Sequence, residues 1–486
     1  MSKIVRAGES PAEGSPPAAR TSAQGAGKAP QATATPKSQL LSSPALMRSA
    51  LPRTPDLLLA PCPLDTNRTD FASTEHMLLG NAATGNELVK ELRLKDGTKL
   101  SFGEVVALSG DFVGSVAELR TLAETPAGQD ELIWARWLAL GQGREPEPNV
   151  PAEAKKRVLL RLAGLAADNS THFSHGGTAL ETYKRGHAEA LRKAHEAGAT
   201  GNDALFAAAV TDEACSQHFL SDTFSAGHIR APVAEIRETY RREQPDSVNQ
   251  ILKYVVKRIV QSLDARGDVP WFWPRSLVES KALEAIHKNA GTIIGKFSLG
   301  DVVALACHNT DGNGLNVVSA VYPSGLPAPG GFHWRADGDS KLKPGSTTWR
   351  MALGAMRASR LELELARAQG SKTPKEPLAP VYLATRFIPR DDAAKNPVFA
   401  WRWGAMNTYM VDAINVCLRE VLVTQLRRYP PEYAVVRFDN WGNLDPNGPV
   451  ALHVGEAFEA LCREIEADGI KVLERAVRKR SVQAAT

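Results

Sequence analysis

The chain has 486 residues, 58 basic against 54 acidic, and an apolar share of 43%. That length holds two to four domains' worth of material, and that apolar share excludes wholesale disorder. Residues 1–50 carry six basic and two acidic side chains, which is the whole net charge of +4, so the remainder is neutral and does not read as a nucleic-acid-binding surface.

Residues 1–60 are rich in Ala, Pro, Ser, Gly and Thr, and the first aromatic residue is Phe71. Such a segment buries too little apolar surface to offset its ordering entropy, so a disordered tail is expected, with folded sequence from near Asp65. The N-terminus has no apolar stretch behind its basic residues. The expectation is therefore a cytoplasmic product without a secretory signal, exported, if at all, by a dedicated secretion system. No apolar run reaches the roughly 18 residues of a membrane span. The five cysteines are far apart with no C-x-x-C pair, so they read as buried small apolar residues and not as a disulfide or thiolate-metal framework.

Apolar residues at three- and four-residue spacing predict helices over 154–167, 178–197, 203–221 (with Asp203 as N-cap) and 245–264. From about 313 to 342, β-branched and aromatic runs broken by Pro and Gly predict a short hairpin or meander. Helices are expected again at 347–369, 404–428 and 454–479, with a proline-punctuated connection over 370–400. The expected fold class is mostly α. A domain over 61–320 is followed by an extension over 321–486, with a short β hairpin and then helices.

The sharpest chemical signal is His218-Phe-Leu-Ser-Asp222, followed by His228. On a helix, His218 and Asp222 leave the same face one turn apart, and Gly227 can end or bend the helix so that His228 folds back. An imidazole and a carboxylate at this spacing can grip one divalent ion, and the second carboxylate oxygen can bridge to another. The bland alternative is a surface His–Asp pair.

The H-x3-D-x5-H pattern resembles the signature of the zinc-dependent phospholipases C and their P1-nuclease relatives, most closely a larger bacterial phosphatidylcholine-preferring branch. Thr171-His172-Phe173, Thr74-Glu75-His76 and Leu108-Ser-Gly-Asp111-Phe112 are similar to other segments of that family, over residues 65–320 or so. The resemblance implies a helical domain with two or three zinc ions held by His76, His172, His218, Asp222, His228, His308 and Asp311. It gives Asp111 to the attacking water as the catalytic base. Two departures stand out: His308-x2-Asp311 replaces a closer H-x3-E pair, and Asp70 or Thr69 would have to replace an N-terminal ligand.

The implied activity is hydrolysis of phosphatidylcholine-like phospholipids at a membrane surface, releasing diacylglycerol. No nucleic-acid partner and no transmembrane span are expected, and the oligomeric state is left open. The rival readings are a nuclease of the same superfamily acting on single strands, and a non-catalytic binding protein with a relic site. Of the remaining histidines, His175 reads as a partner behind the ligands or a solvated residue, His187, His195 and His287 as surface residues, and His333 and His453 as structural ones.

Overall fold

The computed structural model describes residues 72–418 apart from 142–144, 168, most of 246–297, 340, 376–377 and 403–404. The expected tail, the helix over 454–479, Asp70, Thr69, His287 and His453 lie outside the described residues, as do most of 245–264 and the second half of 404–428.

The described residues are mostly helical, with two small sheets. Helix α1 (Ala72–Thr84) is followed by strands β1 (Leu88–Arg93) and β2 (Lys99–Ser101), and then α2 (Phe102–Leu108), α3 (Val116–Glu124), α4 (Pro126–Ala139) and α5 (Ala152–Ala167). The long helices α6 (Thr178–Thr200) and α7 (Asp203–Asp222) come next, then α8 (Ala226–Ile229), α9 (Val233–Glu243) and α10 (Leu299–Asp311). Strands β3 (Leu315–Val321) and β4 (Pro327–Ala336) form the expected hairpin, extended by β5 (Arg390–Asp391) on the other edge of β3. Helices α11 (Thr347–Lys372) and α12 (Thr408–Leu418) complete the described chain.

Local chemistry fixes these boundaries. Ser101 and Ser298 open α2 and α10 with capping boxes closed by Glu104 and Asp301, so two orphan backbone donors are satisfied at each start. Helix α7 starts on Asn202, whose side chain accepts from the Leu205 amide. The cap is thus one residue earlier than the Asp203 expected from the sequence, because the amide oxygen at 202 already reaches the third helical N–H. The β1–β2 hairpin was not expected. It turns at Asp96-Gly97, where Gly97 takes φ +86° and the Thr98 amide donates to Asp96.

The core is a helical stack of α6, α7 and α11, with α1 and α2 against it. Small residues let the helices approach closely. A Cβ at Gly370 would lie 1.9 Å from the His195 carbonyl oxygen, and one at Gly198 would lie 1.9 Å from that of Arg367. Helix α7 is the enclosed member: from Ala209 to Asp222 every residue but Phe219 is buried. It carries both ends of the polar chemistry described below. Among the described residues, no helix is long and apolar enough to cross a membrane.

Candidate metal centre

Five elements converge on Asp222, at the C-terminal end of α7. Helix α1 brings Ser73 and His76, the turn after α2 brings Asp111, and a one-turn helix at Ser170–His172 brings His172. Helix α7 supplies His218, and α8 supplies His228. Asp222 is 1% exposed and has four imidazoles around its two oxygens. Its Oδ2 lies 2.8 Å from His172 Nδ1 and 3.4 Å from His218 Nε2. Its Oδ1 lies 3.2 Å from His228 Nδ1 and 3.4 Å from His76 Nε2.

The outward nitrogens show which inward ones carry lone pairs. His218 Nδ1 donates to the Val106 carbonyl at 3.0 Å, which leaves Nε2 of the neutral ring as an acceptor. Ser221 Oγ spends its proton on the Gln217 and His218 carbonyls, so it accepts from His76 Nδ1 at 2.7 Å, and His76 Nε2 is likewise an acceptor. His172 bonds the Gly110 backbone and turns Nδ1 inward, 3.1 Å from His218 Nε2. The inward nitrogens therefore face carboxylate oxygens and one another in a buried space, where each such contact needs a proton or a metal ion between the two atoms. His228 Nδ1 adds to this: it is buried close to Asp222 yet off the line of a hydrogen bond, and it has no hydrogen-bond partner.

The charge on the rings follows the same carboxylates. Burial works against the charged forms of His76 and His172, but Asp222 and Asp111 outweigh it and raise both pKa values. Burial, with no room for a third imidazolium beside these two, drives His218 well down. Burial alone would lift the Asp222 carboxyl, and the His218 and His172 imidazoles instead hold it well below the usual carboxylate range.

Among the described residues, three groups of side chains could hold a metal ion: His76, His218 and Asp222; Asp111, His172 and His218; and His228, His308 and Asp339. In each group, ligand atoms lie within 4.8 Å of one another. Backbone without a side chain makes the approach possible. At Gly110, with φ +80°, a Cβ would stand 2.3 Å from His218 Nε2, and at Gly227 one would stand 2.7 Å from His308 Cδ2. Gly227 thus acts by close approach and not as the helix terminator expected from the sequence. The break falls earlier, at Thr223 after α7, and Gly227 sits inside α8.

Two further corrections concern named residues. Asp311 does not join the centre: both of its oxygens accept from Arg230, Nε and Nη2, each at 2.8 Å. Asp339 stands in its place, 2.8 Å from His308 Nε2, with Ser225 Oγ donating to its other oxygen. The sequence carried a cue in Asp337-Gly-Asp339, just past β4, but a pattern search tied to His308 stops at the nearest acid. Asp111, expected to serve the water, lies among ligand atoms, and Ser73 donates to its Oδ2 at 3.1 Å.

His187 was expected on the surface and is 0% exposed. Its Nδ1 lies 2.6 Å from Glu213 and its Nε2 3.4 Å from Glu362, between α6, α7 and α11. The polar neighbours of His187 in sequence hid a helix face turned toward two other helices. His175 is exposed as expected, while His195 is only half-buried with its Nε2 enclosed. His333 pairs with Asp392 at 2.9 Å on the outer sheet. Cys215, Cys307 and Cys417 are buried.

No protein-family model, curated protein or solved structure matches the chain.

Proposed function

We propose that the chain is a zinc-dependent phosphodiesterase that cleaves phospholipid head groups as a phospholipase C. The observation that carries this reading is the convergence of five imidazoles and three carboxylates, with ring nitrogens turned inward and no thiolate among them. Nitrogen and oxygen donors without sulfur favour a catalytic zinc site over a structural one. Bound zinc acidifies a water toward neutral pH and stabilises charge on phosphate oxygens.

The chain's own residues supply the frame. Asp222 would bridge two ions, since its Oδ2 lies toward His172 and His218 and its Oδ1 toward His76 and His228. We assign Asp111 to hold an ion, since it stands with His172 and His218. Val106 and Ser221 orient the His218 and His76 rings through their outward nitrogens, as partners behind metal ligands do. His228, His308 and Asp339 form a third group beside the first two. Neutral charge after residue 50 favours a phospholipid over a polyanionic strand, in keeping with the sequence resemblance.

The test is elemental analysis of the full chain after zinc-supplemented expression, with head-group release from phosphatidylcholine vesicles measured with and without chelator. At least two zinc equivalents and chelator-sensitive release are expected. Less than one equivalent refutes the reading, and cleavage of single-stranded DNA or RNA with no release from vesicles moves the substrate to nucleic acid.

A further inference from the structure

We infer that Arg230 and Asp311 form a brace that sets the spacing of His228 and His308, and so are positioning residues for the ion those histidines and Asp339 would hold. This inference rests on the metal reading above. Arg230 lies two residues after His228 on the exit of α8, and Asp311 lies three after His308 at the end of α10. The fork-to-fork pair between them, with both contacts at 2.8 Å, therefore ties together the two elements that carry these histidines. The two imidazole centroids stand 5.1 Å apart, each with a nitrogen toward Asp339.

The brace is itself held. Arg230 Nη1 donates to the Pro397 carbonyl at 2.5 Å, and its guanidinium lies 4.1 Å over the Phe399 ring. The two side chains are only 11% and 2% exposed, so water does not compete well for either. A planar guanidinium gripped on three sides has one orientation, whereas an ammonium at the same place would not fix it. Both oxygens of Asp311 are committed to Arg230, which is why the acid nearest His308 in sequence supports the site and Asp339 faces it.

The experiment measures zinc bound by the full chain across a series of buffered free-zinc concentrations, with melting temperature read beside it. The chains compared are wild type and the variants His308→Ala, Arg230→Met, Arg230→Lys, Asp311→Asn and Arg230→Met/Asp311→Leu. The double variant avoids leaving one charge buried alone and so guards against simple unfolding. His308→Ala is expected to lose one equivalent at every zinc concentration. The brace variants, the double variant included, are expected to bind that same equivalent about 10–100-fold more weakly, with the other ions unchanged and occupancy recovered at high zinc. Arg230→Lys should fall between them and wild type. Wild-type affinity in the folded double variant overturns the brace, as does an Asp311→Asn that loses the ion outright like His308→Ala, which would make Asp311 a ligand. Wild type without zinc refutes the metal reading itself, a distinct result.

Discussion

Replacing Gly110 by alanine tests whether the centre is as tightly built as its geometry indicates. The backbone there has φ +80°, and a left-handed conformation costs an alanine about 1–2 kcal/mol. The added Cβ would stand 2.3 Å from His218 Nε2 and 2.7 Å from His172 Cε1, more than 1 Å inside ordinary contact for the first. Neither ring can swing away freely, because His218 is pinned to the Val106 carbonyl and His172 to Asp222. Overpacking of a rigid interior adds about 1–3 kcal/mol, so a total loss of roughly 2–5 kcal/mol is expected. A displacement near 1 Å at a reacting centre costs about 10²-fold in turnover. Denaturant melts, zinc content and vesicle hydrolysis should therefore fall together in Gly110→Ala. A variant with wild-type stability, full zinc and full turnover would refute the close packing of Gly110 against both histidines.

Other changes should separate by mechanism. Asp222→Asn removes the charge shared by four imidazoles and should release more than one zinc equivalent, whereas Asp111→Asn should release one; elemental analysis distinguishes them, and full zinc in Asp222→Asn would contradict the bridging role. Burial disfavours the His187 imidazolium, but Glu213 and Glu362 outweigh it and lift its pKa to about 9. A raised folded pKa gives stability that is complete below about pH 6.5 and lost as pH climbs through 9, so urea melts of wild type should weaken over that window and those of His187→Gln should weaken less. Gly370→Ala drives a methyl into the His195 carbonyl and should cost about 3 kcal/mol through separation of α6 from α11, while zinc per folded molecule, read by elemental analysis, stays unchanged.

Much of the site was legible because its spacing is local. His218 and Asp222 share one helix face, and His228 follows within one turn and a break, so a linear pattern captures all three. His76, His172 and Asp111 came from resemblance alone, since nothing in their local sequence says that α1, the turn after α2 and the Ser170–His172 helix meet. Asp339 takes the place expected of Asp311 for the same reason. Which acid faces His308 is decided by where the hairpin β3–β4 delivers residue 339 and by Arg230, neither of which a spacing rule encodes. The β1–β2 hairpin was missed although Asp96-Gly97 marks its turn, because β1 lies among helical segments. His187 was misread because helical periodicity shows one buried face, whereas α6 packs against both α7 and α11.

The placement of Asp339 also orders events during synthesis. The residues from His76 to His228 leave the ribosome before His308 and Asp339, the latter more than a hundred residues after Asp222. At about 5–20 residues per second, several seconds separate the two. In that interval the nascent chain can gather Asp111, His172, His218 and Asp222, but α7 still lacks α11, which buries its Glu213 end. An ion captured early would hold the turn after α2, the Ser170–His172 helix and α7 in register while α11 is being made. The metal centre would then be a scaffold for completing the fold before it is a site for chemistry.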